Sequence, residues 1–190
     1  MDRSYILVAR QGDLEAFNRL VLKHQDSVYN LACRILGDPQ DASDATQEAF
    51  ILAFRNLSAY RGGSFRAWIL RIATNVCYDE LRRRTRHPTM PLIPCDPSGG
   101  EIESPYWITD QSDSPEEIAL RAGLRDIVQR CLDELPLKYR TIIVLVDILG
   151  LEYSEAAEII GRPVGTVKSR LARARVQLRD MILALSGQGL

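Results

Sequence analysis

The sequence predicts an all-α protein: two small helical domains joined by a flexible acidic linker, with a helix-turn-helix in the C-terminal domain. Three observations support this fold class. Apolar residues recur with the 3.6-residue period of a helix in both halves of the chain. No segment shows the apolar–polar alternation of a half-buried strand. Between the two halves lies a stretch rich in Pro and acidic residues, which is typical of a linker.

The N-terminal domain, residues 1–86, is predicted to contain three helices. They span residues 14–36, 39–57 and 65–84. Each begins at a capping residue or an early proline: Asp13, Asp38-Pro39 and Ser64. The apolar side of each helix predicts a shared core, and Trp68 is interpreted as part of it.

The second of these helices carries an acidic stripe. Asp41, Asp44 and Glu48 are spaced three and four residues apart, so they share one face. One interpretation is that acids near a helix N-terminus complement its dipole. The other, suggested by the nearby Phe50 and Phe54, is a surface that binds another protein.

The third helix ends in the segment RRRTR, residues 82–86. Positive charge complements a helix C-terminus, but four arginines in five residues exceed that need. We interpret the cluster as a patch that binds phosphate. The loop before this helix contains Tyr60, which could stack on an unpaired base.

Residues 87–114 are predicted to form the linker. No Lys or Arg occurs from residue 88 to residue 120, whereas seven acidic residues do. Such a segment could rest on the basic domains, follow a basic channel in a partner, or serve as a plain solvated spacer.

The C-terminal domain, residues 115–190, is predicted to begin with helices over 115–135 and 136–149. The apolar run 142–146 has strand propensity, but Pro136 and Gly150 flank it at helix length, which favours a buried helix.

A helix-turn-helix is predicted over residues 151–179. Ser154 is expected to cap its first helix, Gly161 to end that helix, and Pro163 to open the second. The second helix has an apolar stripe at 4-3-4-3-4 spacing, formed by Val167, Leu171, Ala174, Leu178, Met181 and Leu185.

The rest of that second helix is strongly basic. Residues 162–179 contain five Arg and one Lys but no Asp or Glu. Like charges repel, so such a face costs stability unless an anion meets it, and DNA is the expected anion. An ordinary basic amphipathic helix is the alternative.

Composition excludes several function classes. The net charge is −1, so any binding of nucleic acid must depend on local clusters. Four Cys and two His show no metal-ligand spacing, so we expect free thiols, no metal and no cofactor. No nucleophile with a nearby base and no phosphate loop is evident, so we do not expect an enzyme. Without a signal peptide or an apolar stretch of membrane length, the expected location is the cytoplasm, with no membrane insertion.

Four segments together resemble the bacterial sigma factors of the extracytoplasmic-function (ECF) group within the sigma-70 family. They are DASDATQEAFILAFRNL (41–57), FRAWILRIATNVCYDELRRRTR (65–86), LPLKYRTIIVLVDILGLEYSEAAEIIG (135–161) and PVGTVKSRLARARVQLR (163–179). The resemblance implies that residues 1–86 are sigma region 2, which binds the clamp of core RNA polymerase and the −10 promoter element. It also implies that residues 115–190 are sigma region 4, which reads the −35 element at the polymerase flap.

The resemblance assigns roles to individual residues. The clamp-binding helix is matched by Asp41, Asp44, Gln47, Glu48 and Phe50. The −10 pocket is matched by Tyr60 and Asn75, with Arg71, Arg82, Arg83 and Arg84 on backbone phosphates. The −35 reader is matched by Thr166, Lys168, Ser169, Arg170 and Arg173. Arg173 lies opposite the apolar stripe and is the better placed of the two arginines for a base.

We therefore expect a promoter-specificity subunit that initiates transcription when bound to core polymerase. A stand-alone dimeric helix-turn-helix regulator is the alternative, and the clamp-like helix and second DNA patch argue against it. The resemblance also makes an anti-sigma factor a candidate partner.

Overall fold

A computed structural model describes residues 2–86 and 115–186, with side chains described for 2–86 and 123–185. The predicted linker, residues 87–114, lies outside the described residues. The elements are α1 (Asp2–Ala9), α2 (Leu14–Leu36), α3 (Pro39–Arg55), a 3₁₀ turn (Leu57–Ala59), α4 (Phe65–Arg86), α5 (Pro115–Glu134), α6 (Leu137–Ile143), a π-helical turn (Val144–Ile148), α7 (Tyr153–Ile160) and α8 (Val164–Ser186). Every regular element in the described ranges is helical, which confirms the all-α prediction.

The N-terminal domain is a bundle in which α2, α3 and α4 pack on one another. Asp13 caps α2 by accepting from the Ala16 amide, and Gly37 ends that helix in the left-handed region at φ 76°. Alanines on α3, including Ala42, Ala45 and Ala49, are buried and let the neighbouring helices approach closely.

Helix α1 was not predicted from the sequence. It is only eight residues long, too short to show a clear period, and tertiary contacts hold it in place. His24 of α2 is buried, and its Nε2 lies 3.1 Å from the Asp2 carboxylate of α1. Arg10, just beyond α1, donates to the backbone carbonyls of Leu57 and Tyr60 and so fixes the loop before α4.

The C-terminal domain contains α5 to α8, and α8 packs on α5, α6 and α7. The apolar run 142–146 is helical and buried over most of its length, as predicted. The single helix predicted over 136–149 is wrong in detail, because α6 changes to a π-helical turn at Val144. The amide of Leu149 donates to the carbonyl of Val144, five residues earlier, at 2.9 Å.

The two domains are in contact in this structure. Helix α4 packs against α7, and the end of α2 packs against α5, α6 and the π-helical turn. The buried hydrophobic side chains of both domains form one continuous cluster. The elements that carry the predicted DNA-binding residues, α4 and the helix-turn-helix, are therefore close neighbours.

Candidate nucleic-acid interfaces

The turn before α8 is built by local hydrogen bonds. Gly161 ends α7 at φ 61°, which confirms the predicted break, and the amide of Thr166 donates to the Pro163 carbonyl at 2.9 Å. The predicted cap Ser154 is wrong. Helix α7 begins at Tyr153, so Ser154 lies within its first turn, and the N-cap is Glu152. Glu152 and Glu155 form a capping box there.

The buried residues of α8 lie in its N-terminal half. Val167, Leu171 and Ala174 are buried against the domain core, as the apolar stripe predicts. The stripe does not continue to the end of the helix, because Leu185 is 38% exposed. The first half of α8 is therefore held rigidly, and its opposite face is turned outward.

That outward face carries the predicted −35 residues. Lys168, Ser169 and Arg173 are exposed, whereas Thr166 and Arg170 are half-buried. Lys168 Nζ lies 5.7 Å from the centre of the Tyr153 ring, a cation–π contact that orients it without neutralising it.

Two further cations of α8 are paired with carboxylates. Arg175 makes a bidentate pair with Asp147 of the π-helical turn, at 3.0 and 2.5 Å, and this carboxylate raises the pKa of Arg175. Arg179 pairs with its neighbour Asp180 at 2.8 Å. Within the described residues, Lys168, Arg170 and Arg173 form no ion pair. The unneutralised charge of α8 is thus concentrated where a recognition helix enters DNA.

Three arginines near the C-terminal end of α4, unlike the cations at the start of α8, all pair with carboxylates. Arg82 pairs with Asp79 at 2.9 Å and Arg83 with Glu80 at 2.8 Å, both within the same helix. Arg84 pairs with Asp41 of α3 and with Glu80, and it also donates to the Leu36 carbonyl.

The side chains predicted for the −10 pocket differ in their exposure to solvent. Asn75 is exposed, and so is Arg71 one turn earlier on α4. Tyr60 is only 7% exposed, because its ring packs edge-on against Phe65 and Trp68. Its hydroxyl donates to the Gly63 carbonyl at 2.7 Å. In this structure Tyr60 shapes the loop, and the open stacking face predicted from the sequence is not present.

A cavity of about 550 Å³ lies beside this loop. It is lined by the loop residues 60–64 and by the arginines Arg3, Arg10, Arg61 and Arg66. Sequence reasoning missed this cluster because Arg3 belongs to the short helix α1 and Arg10 follows it directly. The only local sequence signal for this arginine cluster is that Arg61 directly follows Tyr60.

The acidic stripe of α3 forms one wall of a second cavity, of about 560 Å³, between α3 and α4. Asp44 and Glu48 are exposed there, and Asp41 is half-buried beside Arg84. Gln47 is also exposed on α3 but does not line this cavity. Asp79 and Glu80 of α4 line the same cavity and enlarge the acidic surface.

Phe50 does not belong to that exposed surface. It is 7% exposed and packs in the domain core, so the predicted aromatic contact at this position is wrong for this structure. Ile51, at 51% exposure, is the large apolar side chain that α3 presents outward. The helix period placed Phe50 correctly near the stripe but could not show that α2 and α4 enclose it.

Three further observations concern metal binding, thiol reactivity and membrane insertion. In the described part of the chain, no group of three or more His, Cys, Asp and Glu side chains could hold a metal ion. Burial raises the pKa of the Cys77 thiol to about 12, so this thiol stays protonated and unreactive at neutral pH. Among the described helices, none is long and apolar enough to cross a membrane.

Comparison with known proteins defines the class first. Residues 20–87 match the family described as Sigma-70 region 2, and residues 125–178 match Sigma-70, region 4. The chain is 38% identical to the ECF RNA polymerase sigma-E factor of Escherichia coli K12, over 95% of this chain and 94% of that protein. It is 35% identical to the ECF sigma factor SigW of Bacillus subtilis, over 96% and 97%.

The similarity to ECF sigma factor SigE of Mycolicibacterium smegmatis is 39% identity over 94% of this chain and 66% of that protein. Among solved structures, CnrH in complex with the cytosolic domain of CnrY superposes with a TM-score of 0.70 and 26% identity, covering 96% of this chain and 97% of CnrH. The protein therefore belongs to the ECF sigma factors of RNA polymerase. It directs promoter-specific initiation of transcription together with core polymerase and promoter DNA.

Proposed function

We propose that α8 reads the −35 element with Thr166, Lys168, Ser169, Arg170 and Arg173. The observation that carries this proposal is the cluster of three cations without carboxylate partners on the rigid first half of α8. Arg173 projects from the exposed face opposite the buried stripe, so it is assigned to a base edge. Lys168 is assigned to a phosphate, since an ammonium group binds as a point charge.

We propose that the N-terminal domain reads the −10 element at the loop 60–64 and Asn75. Asn75 is exposed and can hydrogen-bond to a base edge, while Arg71, Arg82, Arg83 and Arg84 lie on the same helix for phosphate contacts. Stacking on Tyr60 requires its ring to leave the contact with Phe65 and Trp68, so we assign Tyr60 first to holding the loop.

The acidic groove between α3 and α4 is our candidate for the polymerase clamp. Asp41, Asp44 and Glu48 line it from α3, and a basic helix of the clamp would complement their charge. Gln47 is exposed on the same helix and is assigned to the rim of this contact. Phe50 is buried in the domain core, so no contact with the partner is assigned to it.

Three broader assignments follow from the same family membership. We place the protein in the cytoplasm with its polymerase, with residues 1–86 acting as region 2 and 115–190 as region 4. We also propose an anti-sigma partner, because CnrH, which shares this fold at 26% identity, was solved with the cytosolic domain of CnrY bound. No catalytic role is assigned.

Run-off transcription on a genomic fragment library tests this function. The chain added to core polymerase should yield transcripts from a narrow promoter set, and core polymerase alone should yield none of them. Mapping the start sites then gives the −10 and −35 sequences. No added transcripts, together with tight binding of a palindrome by the chain alone, would overturn the proposal in favour of a stand-alone regulator.

A further inference from the structure

Arg10 connects the end of α1 to residues 56–64, which we call the α3–α4 loop. Its Nε donates to the Leu57 carbonyl at 3.1 Å, and its Nη2 donates to the Tyr60 carbonyl. The two contacts reach across 47 and 50 residues of sequence. One guanidinium therefore ties both ends of the 3₁₀ turn in this loop to a different helix.

The geometry of these two bonds favours an arginine over a lysine. A guanidinium is planar and presents its N–H donors in a fixed fork, so it bonds two carbonyls at once in one orientation. A lysine ammonium is a point charge on a flexible stem and imposes no such plane on its acceptors. Because the donor is charged, both bonds are also stronger than bonds between neutral groups.

The same guanidinium lies against the side chain of Tyr60. Its Cζ is 5.9 Å from the ring centre, within the range of a cation–π contact. The other ring neighbours are Phe65 and Trp68, with ring centres 5.8 and 5.3 Å away. Tyr60 is thus restrained at its carbonyl, at its ring and through its hydroxyl, which donates to the Gly63 carbonyl. Arg10 supplies the first restraint and part of the second.

The α3–α4 loop needs a restraint from outside because its own sequence permits many conformations. Gly62 and Gly63 both have a left-handed backbone, at φ 100° and 91°, and glycine loses more conformational freedom on ordering than any other residue. Residues 61–64 are exposed, so apolar packing does not fix them. Leu57 and Tyr60 are buried, and the bonds from Arg10 to their carbonyls fix where the flexible part of the loop begins.

Helix α1 is a firm base for Arg10. At its start, the Asp2 carboxylate accepts from Lys23 Nζ at 2.5 Å and lies 3.1 Å from His24 Nε2, both on α2. Ile6 is buried against the domain core, and the Arg10 amide donates to its carbonyl at 3.0 Å. Arg10 is therefore carried by a helix that is fixed to α2, so the position of α1 is passed on to the loop.

We propose that Arg10 is a positioning residue for recognition of the −10 element. It holds the α3–α4 loop in the shape that receives a base, and it does not bind DNA itself, because its guanidinium is committed to two carbonyls and one ring. Arg3 and Arg61 line the same cavity without a hydrogen bond or ion pair among the described residues, so they are the members available for phosphate.

The expected consequence of losing Arg10 is a loop that samples several shapes. Ordering such a loop on binding costs conformational entropy, which lowers both the affinity for the −10 strand and the preference for the correct base. This inference rests on the proposed assignment of the −10 element to residues 60–64 and Asn75.

The test compares Arg10→Ala with Arg3→Ala in the complex of the full chain with core polymerase, the holoenzyme. Both changes remove one positive charge from the same cavity. Of the two, Arg10→Ala alone removes hydrogen bonds to the loop in the described structure. A third variant, Arg10→Lys, keeps the charge and removes the fork. Circular dichroism of each free chain checks that it is folded.

Trp68 fluorescence reports the shape of the loop, because its ring contacts Tyr60. The chain has one other tryptophan, Trp107, so all variants are made in a Trp107→Phe background. Arg10→Ala should shift the Trp68 emission and increase its quenching by acrylamide, and Arg10→Lys should do so in part. Arg3→Ala should match the background protein.

Binding of a labelled −10 strand to the holoenzyme measures the functional effect, with the strand sequence taken from the mapped promoters. Arg10→Ala should weaken binding roughly three- to tenfold, the effect of one or two lost hydrogen bonds, and should reduce the penalty for a wrong base. The slope of log affinity against log salt should stay unchanged, since no phosphate contact is lost. Arg3→Ala should lower that slope by about 1 and leave the base preference intact. Arg10→Lys should recover less than half of the affinity.

Two results would remove the positioning role. If Trp68 fluorescence is the same in Arg10→Ala as in the background protein, the loop keeps its shape without the fork. If Arg10→Ala lowers the salt slope, or if Arg10→Lys binds as well as the background protein, charge alone explains the effect and Arg10 is a direct phosphate contact. Should Arg10→Ala not fold, Arg10→Lys decides alone: it should shift Trp68 emission and weaken binding about twofold, and no change in either refutes the proposal.

Asn75→Ala separates this inference from the proposed function. If Asn75→Ala weakens −10 binding and Arg10→Ala does not, the positioning role is rejected and the proposed −10 site stands. If neither change weakens binding, the proposed −10 site is itself rejected, and the inference is rejected with it.

Discussion

In the N-terminal domain, Arg82, Arg83 and Arg84 each pair with a carboxylate from α3 or α4, whereas on the outward face of α8 Lys168 and Arg173 have no such partner among the described residues. Both surfaces contain the residue types that bind phosphate. They differ in how much of the charge remains for DNA. On the proposed DNA assignments, the N-terminal surface must exchange one ion pair for another and should gain little from duplex in general. Lys168 and Arg173 of α8 should gain more, because they give up no ion pair.

The largest effect should come from Arg173→Ala. Losing a bidentate contact with guanine costs about 1–3 kcal/mol, which is roughly 5- to 150-fold in transcription from matched promoters. Base preference within the −35 element should change as well. Arg82→Ala is the comparison: it should reduce transcription less and equally at all promoters. Equal losses in a run-off assay would contradict the difference between the surfaces.

Lys168→Ala should have the next largest effect. We expect weaker binding at every promoter by a similar factor, because a phosphate contact carries no sequence information. The slope of log affinity against log salt should fall by about 1. A titration of −35 duplex binding at several salt concentrations measures this. A change in sequence preference would show that Lys168 contacts a base instead.

Asp79→Asn should make the N-terminal surface more like α8. It removes the carboxylate that pairs with Arg82, so binding to a −10 single strand should tighten. Exposed pairs of this kind are worth about 0.2–1 kcal/mol, so the gain should be at most roughly fivefold. Glu15→Gln, which frees Arg19 of an equally exposed pair on α2, is the control and should leave −10 binding unchanged.

The smallest effect is expected for Arg175→Ala. Its guanidinium is already bound by Asp147, so transcription should stay within about twofold of wild type. The folding free energy should fall by roughly 0.2–1 kcal/mol, the usual worth of an exposed pair. Denaturant unfolding measures the second quantity. A large loss of transcription would mean that Arg175 releases Asp147 to reach DNA.

Patterns that depend only on neighbouring residues were predicted well. The limits of α2, the break at Gly161 and the helical state of residues 142–146 all follow from caps, glycine and apolar period. The outward face of α8 was also predicted, because the buried stripe alone fixes which side points outward.

Features that depend on distant partners were not predicted. Phe50 lies beside the acidic stripe in the sequence, but only the position of α2 and α4 shows that it is enclosed. The ring of Tyr60 is covered by Phe65 and Trp68, which the loop sequence does not reveal. The π-helical turn at Val144 likewise follows from no local sequence signal. The pairing of Arg84 with Asp41 depends on how closely α3 and α4 approach.

Gly37 joins two demands that usually fall on different residues. Its left-handed backbone ends α2, and its missing side chain leaves room for Asp133. A larger residue there would place its Cβ 3.0 Å from the Asp133 carboxylate, so the Asp133 side chain would have to shift to make room. A single added β-carbon would therefore disturb the end of α2 and the neighbouring Asp133 side chain at the same time, although these belong to different domains.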